Sequence, residues 1–335
     1  MKTLQQMSLI RLIFFLLLFA FADNSVALAK ERYDVLVVFS YEQDYLWNEE
    51  VREGLEKALK PYADLTFFYM NTKVALEQGA EKAAEAYALY QLLHPDGVIA
   101  VDDNAQTLFV VPYLKNKTAT PVVFCGVNAD PESYGYPAEN VTGVLERYHF
   151  EETLSLNRQL AGRTETFAVM VNKSPLAQLV VSRLEKEKDK LSARLVAVLQ
   201  PETLAEAIDM AKEYREKVDL LMLLTLKGIV DARGVHVSDK KAISSVVDAF
   251  NKPTAATAFF VIKNGALSGV LASGQEQGNQ AALFLTKLLN GVSITELPIT
   301  RNYRGKRMIN VTTMKKLGIL PEPMTLRGAT LIRSE

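Results

Sequence analysis

The chain has one cysteine in 335 residues, Cys125, and it lies inside an apolar run. No disulfide framework can therefore staple a small core, and no thiol stands beside the leader for lipid attachment. Histidine is almost as scarce: His94, His149 and His236 lie far apart, none with a second ligand at metal-like spacing, so no metal site is expected. No G-x-G-x-x-G follows the first strand-like run, and neither a Walker-type lysine loop nor a G-x-S-x-G elbow occurs. Nucleotide cofactors and elbow-borne serine nucleophiles lose their signatures, and catalysis is left to carboxylates alone. Charge of one sign is missing too: 38 Lys and Arg against 39 Asp and Glu give a formal net charge of −1. Spread through helices, these charges form no footprint for nucleic acid or anionic lipid. No Pro/Gly/Ser-rich linker divides the chain.

What is present begins with a leader. Lys2 and Arg11 flank an apolar stretch from Leu12 to Ala22 that ends shortly before Ala27, Leu28 and Ala29. That is the pattern of a signal peptide with an A-x-A cleavage site, and the apolar run is about half of the roughly 20 residues a membrane span needs. Residues 1–29 are expected to be removed, giving a soluble, exported chain with no lipid-attachment cysteine. A remainder of about 300 residues exceeds what one compact core usually holds, so two domains are expected.

Three apolar runs in the first 130 residues each end in a polar cluster. VLVVFS leads into Tyr41, Glu42, Gln43, Asp44, Tyr45 and Trp47; GVIAV leads into Asp102, Asp103 and Asn104; PVVFCG leads through Gly126 into Asn128, Ala129 and Asp130. Continuous apolar runs read as strands covered on both faces, and ligands in open α/β sheets sit at the carboxyl ends of such strands. Helices are expected at about 47–60, 77–93 and 104–114, with strands over 65–71, 97–101 and 121–126. The same alternation restarts at FAVMVN, where Ser174 can cap a helix and Pro175 suits its first turn. Thr203 and Glu206 then form a capping-box pattern. A long amphipathic helix over 274–290 and a late strand over 297–303 follow. Two α/β lobes of Rossmann-like grammar, with a ligand cleft between them, are the expected architecture.

The carboxylates Asp102 and Asp103 could serve in acid/base chemistry, cap the following helix or touch a ligand. Tyr41, Tyr45 and Trp47 offer aromatic faces, with Asp44 available for an amino group. Trp47 equally extends the Val51/Leu55 stripe as core. Ser40 sits where the first helix's N–H groups favour an anion. Asn104 and Asn128 read as ligand contacts or as turn residues, and Glu146 as a cleft residue or a hinge neighbour. From the second half, Asn172, Thr225 and Gln275 occupy loop positions that would face the first lobe.

SYEQDYLW, VDDNA and PVVFCGVNADP followed by ENVTGVLE resemble the type I periplasmic binding proteins of the ABC-transporter substrate-binding family, some of which take up tryptophan or tyrosine. They are similar also to the periplasmic sensing domains of hybrid histidine kinases. The resemblance implies a type I fold whose chain crosses between lobes three times, with one lobe of 30–145 plus 272–292 and another of 146–271 plus 293–335. It implies a monomeric, periplasmic solute-binding protein without cofactor, delivering a small polar or aromatic molecule to an ABC permease. A ligand sensor partnered with a membrane histidine kinase is the alternative, and an exported carboxylate-based enzyme the third reading.

Overall fold

The structure is a computed structural model that describes residues 32–334; the expected leader lies outside the described residues. Two sheets organise the chain. The first begins with β1 (Tyr33–Phe39), α1 (Leu46–Leu59), β2 (Ala63–Tyr69), α2 (Gly79–Leu93) and β3 (Gly97–Val101). A short α3 (Asp103–Ala105) runs on into a π-helical stretch, Gln106–Leu114, followed by β4 (Val122–Val127) and β5 (Val141–Leu145). Its strand order is β11-β5-β4-β3-β1-β2, where β11 is the late two-residue strand Thr300–Arg301, and all neighbours are parallel.

After β5 the chain enters the second lobe through α4 (Phe150–Ala161), β6 (Thr166–Met170), α5 (Pro175–Glu187), β7 (Arg194–Leu199) and α6 (Leu204–Arg215). β8 (Leu220–Leu223), α7 (Asp239–Phe250), β9 (Thr254–Ala256), α8 (Phe259–Lys263) and β10 (Ser268–Leu271) follow. Helix α9 (Gly274–Leu289) and the short β11 (Thr300–Arg301) return to the first lobe. The chain ends in the second lobe with β12 (Lys306–Asn310), α10 (Val311–Lys316), α11 (Pro323–Leu326) and β13 (Thr330–Ile332). The second sheet runs β13-β12-β10-β9-β8-β6-β7, parallel except between β10 and β12.

In both sheets the central order is the doubly wound one, so the direction of winding reverses between β1 and β3 and between β6 and β8. Loops diverge at such a point and open a crevice. The strands that flank the first crevice are buried along their length, as covering by helices on both faces requires: Val35 to Phe39 and Val98 to Val101 are each at most 1% exposed. Helices α1 and α9 cover one face around Val51, Leu55, Ala281 and Leu285. They approach closely because Gly54, Gly274 and Gly278 lie between them; a Cβ on Gly278 would stand 2.1 Å from the Val51 carbonyl oxygen.

Ser174 caps α5 by accepting from the Ala177 N–H, and Thr203 with Glu206 closes a capping box at α6. Three expectations are revised. The helix expected at 104–114 is π-helical over most of its length and contains Pro112, whose missing N–H removes a regular i→i−4 bond. The strand expected over 65–71 runs Ala63–Tyr69, and the one expected over 297–303 shrinks to Thr300–Arg301, pairing with β5. The last therefore belongs to the first sheet, whereas 293–335 had been expected wholly in the second lobe. Its backbone pairing with Val144 and Leu145 holds it there.

Candidate functional site

The chain passes between lobes at 146–149, 272–273 and 302–305, and side chains bind these crossings to one another. The Asn302 amide accepts from the Arg147 N–H (2.7 Å), donates to the Arg147 carbonyl (2.9 Å) and reaches His149 Nε2 (2.7 Å). Glu276, in the first turn of α9, accepts from the backbone N–H groups of Tyr303, Arg304 and Gly305 at 2.7 to 2.9 Å. Such anchoring confines relative movement of the lobes to a few backbone dihedrals.

Just above the first crossing, the β1, β3 and β4 loops meet. Asp102 ends β3 with φ 69° and ψ 173°, a region that non-glycine residues occupy at a cost of about 1–3 kcal/mol and mostly at functional sites. Its carboxylate is buried. Oδ1 accepts from Trp47 Nε1 at 3.0 Å, while Oδ2 has no hydrogen-bond partner. Gly126 permits this arrangement: it has φ 72°, and a Cβ there would lie 2.6 Å from Asp102 Oδ1.

Burial holds the Asp102 acid well above the usual carboxylate range, and the Glu146 and Asp103 charges push the same way against the Trp47 hydrogen bond. Glu146 keeps part of its surface open to the cleft, yet burial by surrounding protein pushes it up to about 7. The hydrogen bond from Asn128 Nδ2 (3.1 Å) opposes this rise, and Asp103 adds to it. Asp102 and Glu146 are thus two carboxyl groups of one site, both raised by desolvation. Burial raises the Tyr41 phenol also, and the charges of Asp102, Asp103 and Glu146 push it the same way.

The remaining expected site residues divide sharply. Asp103 accepts from the N–H groups of Asn128 and Ala129 (both 3.1 Å) and from the Tyr134 hydroxyl (2.7 Å), so it pins the β4 loop rather than capping α3. Asn104 donates to Thr72 Oγ1 at 2.8 Å. Ser40 is fully buried; its hydroxyl donates to the Val101 carbonyl and accepts from Ala105 N–H, stitching β1 to α3. Trp47 serves two ends: its ring packs on the α1/α9 core and its N–H holds Asp102. Asp44 is exposed and lines a shallow outer depression with Glu49, Arg52, Glu53 and Glu56, outside the Asp102 cluster.

Second-lobe expectations fare differently. Asn172 braces its own loop through Ser174 Oγ (2.8 Å) and the Lys227 carbonyl (2.6 Å), and the Thr225 hydroxyl accepts from Lys227 N–H. Gln275, expected in a loop facing the first lobe, lies instead in α9 of the first lobe itself and donates to Glu53 on the outer face of α1, because α9 returns to pack against α1. Two residues on, Gln277 is fully buried and spans from the Gly126 N–H (3.0 Å) to the Leu145 carbonyl (3.1 Å), tying α9 to the floor of the site. A glutamine within an apolar helical face was its only sequence signal. Arg147 was also missed. Its guanidinium donates to the carbonyls of Val127, Asn128, Ala129 and Glu146, and desolvation with the nearby Arg183 lowers it to about 10.

Across the cleft, Asp130 of the first lobe meets Arg183 (2.7 Å) and Lys186 (3.3 Å) of α5. Between the lobes a cavity of about 50 Å³ is lined by Asn128, Glu146, Arg147, Tyr148, His149, Thr257, Val270 and Ala272. A wider hollow of about 470 Å³ lies beside the crossings, between Ile299 to Arg301 and the end of α5. The small cavity, which contains Glu146 and Asn128, is the one that joins the acid cluster. Among the described residues no group of three or more His, Cys, Asp or Glu is placed to hold a metal ion, and no helix is long and apolar enough to cross a membrane.

Two winding-reversal crevices and three crossings define a two-lobed, doubly wound α/β architecture with a cleft between the lobes. The family comparison agrees: residues 47–331 match the ABC transporter substrate binding protein model, and the chain belongs to that family. Its fold is similar to that of a ligand-free, open substrate-binding protein with adhesive properties from Clostridium difficile (TM-score 0.68, 18% identity, 90% of this chain and 100% of that one). It is similar also to an ABC domain in complex with L-Trp from Streptococcus pneumoniae (TM-score 0.52, 17% identity, 90% and 99%). A conserved domain protein from Vibrio cholerae gives a TM-score of 0.52 at 21% identity, covering 89% of this chain and 99% of that one. These are type I periplasmic binding protein folds. No curated protein matches the chain.

Proposed function

We propose that this chain is an exported periplasmic receptor that closes its lobes around one small polar or aromatic solute and hands it, unconverted, to an ABC permease. The observation that carries this reading is the buried Asp102 carboxyl, strained in backbone, held on one oxygen by Trp47 and left without a partner on the other. A buried polar group left without a partner destabilises the free protein by about 1–3 kcal/mol, a cost that a ligand's polar group can remove. Its position at the β1/β3 reversal, beside aromatic side chains and the interlobe crossing, suits a solute held between lobes.

Because one structural neighbour is described with L-Trp, aromatic amino acids and related amines head the list of solutes to test. A thermal-shift screen of purified protein, with native mass spectrometry of whatever co-purifies, provides the first test, since a ligand of the folded state raises the melting temperature by mass action. Intact mass of the periplasmic product should show loss of residues 1–29, and light scattering a monomer. Recovery of the bound solute unchanged after prolonged incubation separates a receptor from a carboxylate enzyme. Solute-dependent stimulation of permease ATPase in vesicles supports delivery; stimulation of a sensor kinase instead would replace that role. A screen in which no solute shifts the melting curve sinks the receptor reading.

A further inference from the structure

Lys73 lies in the turn after β2, which Glu42 anchors by accepting from the backbone N–H groups of Lys73 and Val74 at 3.2 and 3.0 Å. Its ammonium stands 3.8 Å from the centre of the Tyr45 ring and 4.8 Å from that of Tyr41, and donates to the Tyr45 hydroxyl at 2.6 Å. The two rings meet edge to face, 5.4 Å apart at 86°, and so form two walls of a corner. An ammonium in such a corner is held by the negative faces of the rings. The charges of Asp102, Asp103 and Glu146 all act on the Tyr41 hydroxyl, and that of Lys73 acts on Asp102.

Cationic side chains suited to a ligand carboxylate are otherwise engaged here. Arg147 is surrounded by four carbonyl oxygens, and Arg183 and Lys186 meet Asp130. The local field at the first-lobe face is therefore set by acids and aromatic faces. That environment favours a positive group and repels a negative one.

We propose that the Lys73 ammonium is an internal stand-in for the head group of the solute, and that the cleft takes a small organic ammonium ion which displaces it from the Tyr41–Tyr45 corner. The inference rests on the receptor reading and narrows it to a substrate class. A monocationic amine binds better than the zwitterion or anion built on the same skeleton, because a cation favours the ionised forms of Asp102 and Glu146, which burial otherwise holds back, whereas an added carboxylate pushes both acids further up and meets Asp103.

Calorimetric titration with tyramine, L-tyrosine and 3-(4-hydroxyphenyl)propanoate varies charge on one ring, and tetramethylammonium probes the head group alone. Wild type should bind tyramine most tightly and the propanoate least. Lys73→Met keeps the stem and removes the competing charge, so tyramine or tetramethylammonium should bind several-fold more tightly. Tyr45→Leu should weaken both cations by roughly two- to thirtyfold, while Tyr45→Phe, which keeps the ring face, should retain them. Unchanged melting curves for the variants exclude misfolding as the cause. A wild type that prefers tyrosine or the propanoate, with Lys73→Met weakening either, makes Lys73 a carboxylate ligand and overturns the inference while leaving the receptor reading intact. Failure of both cations to bind wild type and Lys73→Met also overturns it; the receptor reading falls with it only if the broad thermal-shift screen is blank too.

Discussion

Replacing Glu146 by Gln should flatten a pH-dependent part of the protein's stability. Glu146 follows β5 at the first crossing, and burial raises it from an ordinary 4.5 to about 7. The folded chain then holds this proton more tightly than the unfolded chain. The corresponding contribution is fully present below about pH 4.5 and is lost as pH rises through about 7. A shift of that size corresponds to about 3 kcal/mol at full burial. Because Glu146 keeps part of its surface open to the cleft, screening reduces the figure to about 1 kcal/mol. For lobes of this size that amounts to roughly 2–4 °C in melting temperature. Gln keeps an oxygen to accept from Asn128 Nδ2 and carries no proton to lose. It also relieves Asp102, whose acid the Glu146 charge helps to raise, so both effects carry the same sign. Ligand-free wild type and Glu146→Gln are to be melted at half-unit steps from pH 4.5 to 8. The variant should gain on wild type as pH rises. A constant difference across that interval, or a wild type that gains on the variant towards pH 8, refutes the account of a desolvated carboxylate at the crossing.

Gly278→Ala should lower the melting temperature, because a Cβ at 2.1 Å from the Val51 carbonyl forces α1 and α9 apart at about 1–3 kcal/mol, more than the roughly 1 kcal/mol gained in helix propensity. An unchanged or raised melting temperature would mean that the helices part freely. Trp47 is the sole tryptophan, so indole emission reports on the Asp102 loop; a bound solute should alter it, and Trp47→Phe should weaken binding less than Trp47→Ala, by about 1 kcal/mol for a lost aromatic contact. If emission ignores saturating solute and Trp47→Ala lowers only stability, the ring serves the core alone. Asp130→Asn removes the acid that meets Arg183 and Lys186 across the cleft, so small-angle scattering of the ligand-free protein should show a larger radius of gyration. Melting should hardly change, since partly exposed pairs contribute about 0–1 kcal/mol, and an unchanged radius would show that other contacts set the lobe angle.

The alternation of apolar runs and helical stripes was enough to establish two α/β lobes, because a strand buried on both faces cannot hide its composition: VLVVF, GVIAV and VVFC are buried throughout. Helix starts were equally legible where the signal is local, as at Ser174 and at Thr203 with Glu206. The polar clusters at strand ends also pointed to Asp102, Glu146 and Asn128, which the fold brings together. Their division of labour was not legible. Whether Asp103 caps a helix or pins the β4 loop depends on where Asn128 and Ala129 come to rest, some 25 residues away in sequence. Gln275 and Gln277 differ by two positions on one helix, yet one faces Glu53 outside and the other spans Gly126 and Leu145, more than a hundred residues distant. Lys73 reaches the Tyr41–Tyr45 corner only because β1 and β2 pair in parallel and bring their carboxyl ends together. Sequence alone determined the strongly periodic strands and helices of the two lobes and which loops carry polar chemistry, since these follow from periodicity and local hydrogen bonding, whereas the short closing elements and the π-helical stretch did not show in it. Tertiary structure alone decided which of those polar groups are desolvated, which are already partnered and which remain open to a ligand, because burial and partnership are set by residues far apart in the chain.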